Sequence, residues 1–161
     1  MSYLIDGNNV MAQRVGWHRD KASARRRLLG EVARFARAAG VSASVVFDGA
    51  PEEHFPDGSS FMGVTVFYAE RGRDADARIR RMVDESRERR TLVVVTSDRA
   101  LADYVRRSGA RVVRSGEFRG RLDAESSAGE MKDPARSDVP RAQLDDWMRY
   151  FGASDEDEEE Q

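Results

Sequence analysis

Apolar residues in this chain follow two rhythms: short unbroken runs, and longer stretches at helical spacing. Tyr3-Leu4-Ile5 is the first run, and it stops at Asp6-Gly7-Asn8-Asn9-Val10. That pattern predicts a parallel strand delivering a carboxylate to its carboxyl end, followed by a tight turn. Asp20 is placed to cap a helix reaching about Ala39, with Leu28, Leu29, Val32, Phe35, Ala36 and Ala39 as its buried stripe and Gly40 as its stop. Residues 42–47 predict a second strand ending at Asp48-Gly49, and residues 60–68 a third. Asp74 opens a helix reaching about Arg89 with Ile79, Met82 and Val83 inward. Leu92-Val93-Val94-Val95 is an apolar run of the kind buried on both faces, and it ends at Thr96-Ser97-Asp98. A helix carrying Leu101, Ala102 and Val105 closes at Gly109, and a short strand follows over residues 111–113. Strands alternating with helices predict a three-layer α/β/α sandwich on a mainly parallel sheet.

The rhythm breaks after residue 122. Residues 123–138 are polar, small and turn-prone, which predicts a linker. Asp138-Val139-Pro140 then starts a short helix over residues 139–152, where Leu144, Trp147, Met148 and Phe151 form one apolar face. That face needs a cover, either the domain itself or a protein partner such as a second copy. Residues 153–161 carry six acids and are expected to be disordered.

A length of 161 residues suits one full domain. The absence of cysteine excludes disulfides, thiolate zinc sites and cysteine nucleophiles. No apolar run approaches the roughly 20 residues that span a bilayer, and Met1 leads into a strand rather than a signal peptide, so a cytoplasmic protein without a membrane segment is expected. The net charge of -2 conceals a division: residues 1–122 carry 23 Lys/Arg against 16 Asp/Glu, and residues 123–161 carry 4 against 13. Lys21 and Lys132 are the only lysines. Arginine's planar fork suits phosphate, although compositional bias accounts for the same counts equally well. The acidic tail could compete for the basic face, or serve as a solubility element.

The acids are the chemically distinctive feature. Asp6, Asp48 and Asp98 all stand at strand ends, so parallel neighbours would bring them to one edge of the sheet. Asp74 and Asp76 open a helix facing the same edge. Two residues apart on a helix is a rotation of about 200°, so Asp74 fits the cap and Asp76 the inward position. Clustered carboxylates repel one another, and a hard divalent cation, Mg²⁺ or Mn²⁺, is the usual resolution. Such ions activate a water and stabilise phosphoryl charge, which requires no histidine. The two histidines, His18 and His54, read as surface residues in loops, and Asp103 as a solvated one. Asn9 either orients a carboxylate or phosphate oxygen or stabilises the turn.

Four segments together resemble the NYN domains, relatives of PIN-domain nucleases, and most of all their YacP-like group. They are Leu4-Ile5-Asp6-Gly7-Asn8-Asn9-Val10, Val45-Val46-Phe47-Asp48, Ala75-Asp76-Ala77-Arg78-Ile79 and Val95-Thr96-Ser97-Asp98. The resemblance covers roughly residues 1–122, and it implies a PIN-like fold and metal-dependent cleavage of RNA. It transfers the metal-site role to Asp6, Asp76 and Asp98, with Asn9 and Ser97 as neighbours. Asp48 matches a frequent family position and is a further candidate metal ligand, and Asp74 is an extra acid where relatives often carry a small hydroxyl residue. Nothing carries over beyond Asp123.

The expectation is therefore an endoribonuclease in which the clustered aspartates hold a metal-activated water. Arg25, Arg26, Arg27, Arg71 and Arg73 are candidates for gripping the RNA backbone. The alternative is an RNA-binding or adaptor module with a weak or inactive site. A haloacid-dehalogenase-type phosphatase is disfavoured because Asn8 stands where that chemistry needs a second aspartate. A nucleotide cofactor is disfavoured because no glycine-rich phosphate loop follows the first strand.

Overall fold

A computed structural model describes residues 1–70 and 73–131 of the chain. Five parallel strands and one antiparallel edge strand form a single sheet, ordered β3-β4-β2-β1-β5-β6. These strands are β1 (Ser2–Asp6), β2 (Ser42–Phe47), β3 (Ser59–Phe61), β4 (Val64–Tyr68), β5 (Leu92–Val95) and β6 (Arg111–Val113). The helices are α1 (Gly7–Met11), α2 (Lys21–Ala39), α3 (Ala75–Glu85), α4 (Arg99–Arg107) and α5 (Ser115–Met131).

The central strands are apolar on both faces, and alternate side chains enter two separate cores. Tyr3, Ile5, Val45, Phe47, Val93 and Val95 pack with Leu28, Leu29, Val32 and Phe35 of α2 and with Phe118 and Leu122 of α5. Leu4, Val46 and Val94 face the other way, onto Ile79 and Val83 of α3 and Leu101 and Val105 of α4. This is the three-layer sandwich that the alternating elements predict. The chain builds outward from β1 to β2 and β4, then crosses back through α3 to place β5 on the other side of β1. The carboxyl ends of β1 and β5 therefore flank the point where the winding reverses, which is the ligand-binding crevice of open α/β sheets.

The cap of α2 forms as the sequence implies: Asp20 accepts from the Ser23 amide, and Gly40 ends the helix at φ 67°. Its stripe differs at one end, since Ala39 is exposed while Ala33 and Glu31 are buried.

Three elements differ from expectation. Residues 60–68 are not one strand: Met62 (φ 50°) and Gly63 (φ 87°) form a two-residue turn, folding the segment into the β3–β4 hairpin. Both central residues at positive φ match the right-handed twist of the strands they join. Helix α3 stops at Glu85, before the predicted Arg89. The predicted linker at residue 123 begins inside α5, which continues to Met131. Phe118 and Leu122, four apart, bury one face of α5, and the buried Arg119 between them pairs with the buried Glu31 of α2. Gly116 and Gly120 lower the helical signal of this stretch, so tertiary contacts rather than propensity hold it. The predicted helix over 139–152 and the acidic tail lie outside the described residues. Among those described, no helix is long and apolar enough to cross a membrane.

Candidate active site

Asp6 is the last residue of β1, between Val46 of β2 and the carboxyl end of β5, and it is 8% exposed. Its carboxylate accepts from the Thr96 hydroxyl at 3.3 Å. Burial pushes the Asp6 carboxyl up to about 6; the Asn9 amide opposes this, the Asp48 charge adds to it, the Thr96 hydroxyl opposes it and the Asp76 charge adds to it. The Thr96 hydroxyl oxygen also accepts from the Asp98 amide at 3.2 Å, so one buried side chain links Asp6 to Asp98.

Gly7 is needed for close approach, not for an unusual backbone angle. It begins α1, and a Cβ there would stand 2.6 Å from the Phe47 ring and 2.9 Å from Val45 Cγ1. Each asparagine after it ties β1 to a neighbour. Asn8 Oδ1 accepts from the Asp48 amide at 2.9 Å. Asn9 Oδ1 accepts from the Ser97 amide at 2.8 Å and also from the Ser115 hydroxyl. Ser97 Oγ accepts in turn from the Ser115 amide at 3.1 Å, which joins the start of α5 to the site.

The acids at α3 divide as their helical phase requires. Asp74 caps the helix through the Ala77 amide at 3.1 Å. Asp76 lies half-buried in the first turn, with Oδ2 paired to Arg80 Nε at 3.0 Å. Its Oδ1 is buried and has no hydrogen-bond partner among the described residues. Burial raises the Asp76 carboxyl above its usual range; Arg80 opposes this, and the charges of Asp98 and Asp74 add to it. Asp98 caps α4 through the Leu101 amide at 3.0 Å. Asp48 follows β2 and accepts from the Ala75 amide at 2.6 Å.

The fold thus brings Asp6, Asp48, Asp76 and Asp98 to one edge, close enough for Asp6 to feel Asp48 and Asp76, and for Asp76 to feel Asp98. Among the described residues, no three acidic or histidine side chains converge on one point as the ligands of a bound ion do. The donor chemistry nevertheless fits a hard divalent cation: the groups are all oxygen, they repel one another, and one of their oxygens is buried without a partner.

The arginines separate. Arg25 does not face solvent as an RNA-gripping residue would: it pairs with Glu52 at 3.5 Å, donates to the Asp48 carbonyl, and lies against the rings of Phe47 and Tyr68. Arg26 is half-buried, and Arg27 and Arg73 are exposed. Arg71 lies outside the described residues. His18 and His54 are exposed, as read from the sequence.

Sequence reasoning missed Thr96, Ser115 and Arg80. A threonine two residues before Asp98, where a buried strand ends, is a readable sign of a hydroxyl serving that edge. Arg80, four residues after Asp76 on one helix, is another. Ser115 carries no comparable sign, because only the fold brings it beside Asn9.

The chain belongs to the YacP-like NYN domain family, whose model matches residues 3–150. That membership is consistent with a nuclease-type, RNA-related function. The solved structure of Rae1 (YacP) from Bacillus subtilis aligns at 20% identity with a TM-score of 0.66, covering 97% of this chain and 89% of its own. A single-substitution variant of the same protein aligns at 19% identity with a TM-score of 0.69, covering 89% of this chain and 88% of its own. Both likenesses carry the fold. No curated protein matches the chain at a significant level.

Proposed function

We propose that this protein is a Mg²⁺- or Mn²⁺-dependent endoribonuclease whose cation is held by Asp6, Asp76 and Asp98. One observation carries the reading: Asp76 Oδ1 is buried without a hydrogen-bond partner among the described residues, on an edge where carboxylates already repel one another. A buried oxygen left in that state is costly, and a divalent cation offsets both the missing bond and the repulsion. When bound, such an ion supplies an activated water and stabilises phosphoryl charge.

The protein's own residues prepare the edge. The Asn9 amide and the Thr96 hydroxyl favour the ionised form of Asp6 against its burial. Arg80 holds the second oxygen of Asp76, and the cap to Leu101 fixes Asp98 at the start of α4. Arg27 and Arg73, both exposed, are suited to phosphate oxygens of an RNA strand.

The test is cleavage of end-labelled single-stranded and structured RNA in Mn²⁺, comparing wild type, Asp6→Asn and a chelated control. Wild type alone is expected to cut. Equal cutting by wild type and Asp6→Asn removes Asp6 from the site. RNA affinity that persists in chelator, without any cleavage, supports the adaptor reading instead.

A further inference from the structure

We infer that Asp48 is a positioning residue, which holds the start of α3 and thereby Asp76, and that it is not itself a ligand of the cation. The inference rests on the metal-site reading of Asp6, Asp76 and Asp98.

Asp48 is fixed from three sides. Its amide donates to Asn8 Oδ1 at 2.9 Å, and its carbonyl accepts from the Arg25 guanidinium. Its Oδ1 accepts from the Ala75 amide at 2.6 Å. Arg25 is itself immobilised by the Glu52 pair and the rings of Phe47 and Tyr68. Asp98 is tethered as closely, but its carboxylate caps its own helix; the Asp48 carboxylate instead joins two elements, accepting a backbone amide of α3 27 residues away.

What Asp48 holds is the first residue of α3. The Ala75 amide is one of the donors that a helix leaves unpaired at its start, and a carboxylate there also meets the positive end of the helix dipole. Asp74 takes the Ala77 amide, so the two acids occupy different donors of the same turn. The Ala75 side chain is buried in the α3–α4 core, and the next residue is Asp76. A continuous path therefore runs from the Asn8 turn of β1, through Asp48 at the end of β2, to Ala75 and Asp76 on α3. It crosses from one layer of the sandwich to the other. It also sets the separation of Asp6, just before Asn8, from Asp76, just after Ala75.

The two roles predict opposite outcomes for one substitution. An asparagine still presents an Oδ1 to the Ala75 amide but lacks the charge a hard cation needs. Calorimetric titration with Mn²⁺ alone should give Asp48→Asn an affinity within about threefold of wild type. Asp48→Ala should fall by about tenfold or more, in the range for residues that orient metal ligands. Asn8→Ala should weaken binding in the same direction by a smaller factor, because Arg25 still holds the Asp48 carbonyl. The metal-free readout is hydrogen exchange of the Ala75 amide, which should be slow in wild type and Asp48→Asn and faster in Asp48→Ala. Two results overturn the inference: loss of Mn²⁺ affinity in Asp48→Asn equal to that in Asp76→Asn, or Ala75 exchange indifferent to Asp48→Ala. Wild-type protein that binds no Mn²⁺ defeats the metal-site reading, while Ala75 exchange still decides whether Asp48 anchors α3.

Discussion

The Thr96 hydroxyl donates to the Asp6 carboxylate across 3.3 Å, joining residues 90 positions apart at the crevice between β1 and β5. The same oxygen accepts the Asp98 amide. Replacing Thr96 by valine keeps the shape and removes both bonds. The expected cost is about 1–3 kcal/mol, from a buried carboxylate that keeps the Asn9 amide but loses its hydroxyl donor, and from the Asp98 amide, which loses its Thr96 acceptor. The Asp6 carboxyl should rise further, because a donor to its charged form is lost. Carbon-13 NMR titration of Asp6 in chelator measures the rise, and Thr96→Ser should reverse it. A titration midpoint unmoved by Thr96→Val would show that this hydroxyl does not act on Asp6.

Asp6 also makes the stability of the metal-free protein depend on pH. Its carboxyl titrates at about 6 in the fold against an ordinary value of 3.8. Between these two values the native state binds more protons than the unfolded chain, so this group's contribution to stability declines as pH rises through that window. The full decline is about 2–3 kcal/mol. Asp6→Asn should remove it, leaving the variant more stable than wild type at pH 8 in chelator, with the difference vanishing near pH 4. Urea denaturation at the two pH values checks the sign. A variant less stable than wild type at pH 8 would contradict it.

Arg119 and Glu31 lock α5 onto α2 through a buried ion pair. Asp123 also pairs with Arg119, and the half-exposed Arg14 pairs with Glu31 and Asp123. Arg119→Ala leaves Glu31 buried and poorly compensated, at a cost of about 3–5 kcal/mol. Arg14→Ala removes a solvent-screened partner and should cost less than about 1 kcal/mol. Comparable denaturation midpoints for the two variants would show that the buried pair does not dominate the docking of α5.

Gly7→Ala is expected to be among the most harmful single-methyl additions in the fold. The added carbon meets the Phe47 ring at 2.6 Å, with Val45 on the same side. Overpacking of this kind costs about 1–3 kcal/mol. The displaced turn also carries Asn8 and Asn9, so Mn²⁺ binding should weaken along with the melting temperature. Retention of both would show that β1 and β2 yield to the methyl without disturbing the site.

Much of this protein is legible in its sequence because the relevant physics is local. An unbroken apolar run declares a buried strand, and Leu28, Leu29, Val32 and Phe35 declare one face of α2. An aspartate before a glycine at a strand end declares a carboxylate delivered to the sheet edge. Asp74 and Asp76 were separable for the same reason: helical phase alone sends them in different directions.

Long-range geometry decided the rest. Arg25 has the composition of a phosphate-gripping residue, but two aromatic rings, Glu52 and the Asp48 carbonyl turn it inward. Helix α5 has three glycines and a weak pattern, and it exists where Phe118, Leu122 and Arg119 find α2. The individual commitments of the acids were equally hidden, because each depends on which amide the fold carries within reach. Asp98 takes Leu101, Asp48 takes Ala75, and Asp76 Oδ1 takes none among the described residues. The sequence by itself determined which side chains arrive at the edge, since strand and helix periodicity are local properties. Only the tertiary structure decided what each one does there, because hydrogen bonds and burial belong to pairs of residues that the chain keeps far apart.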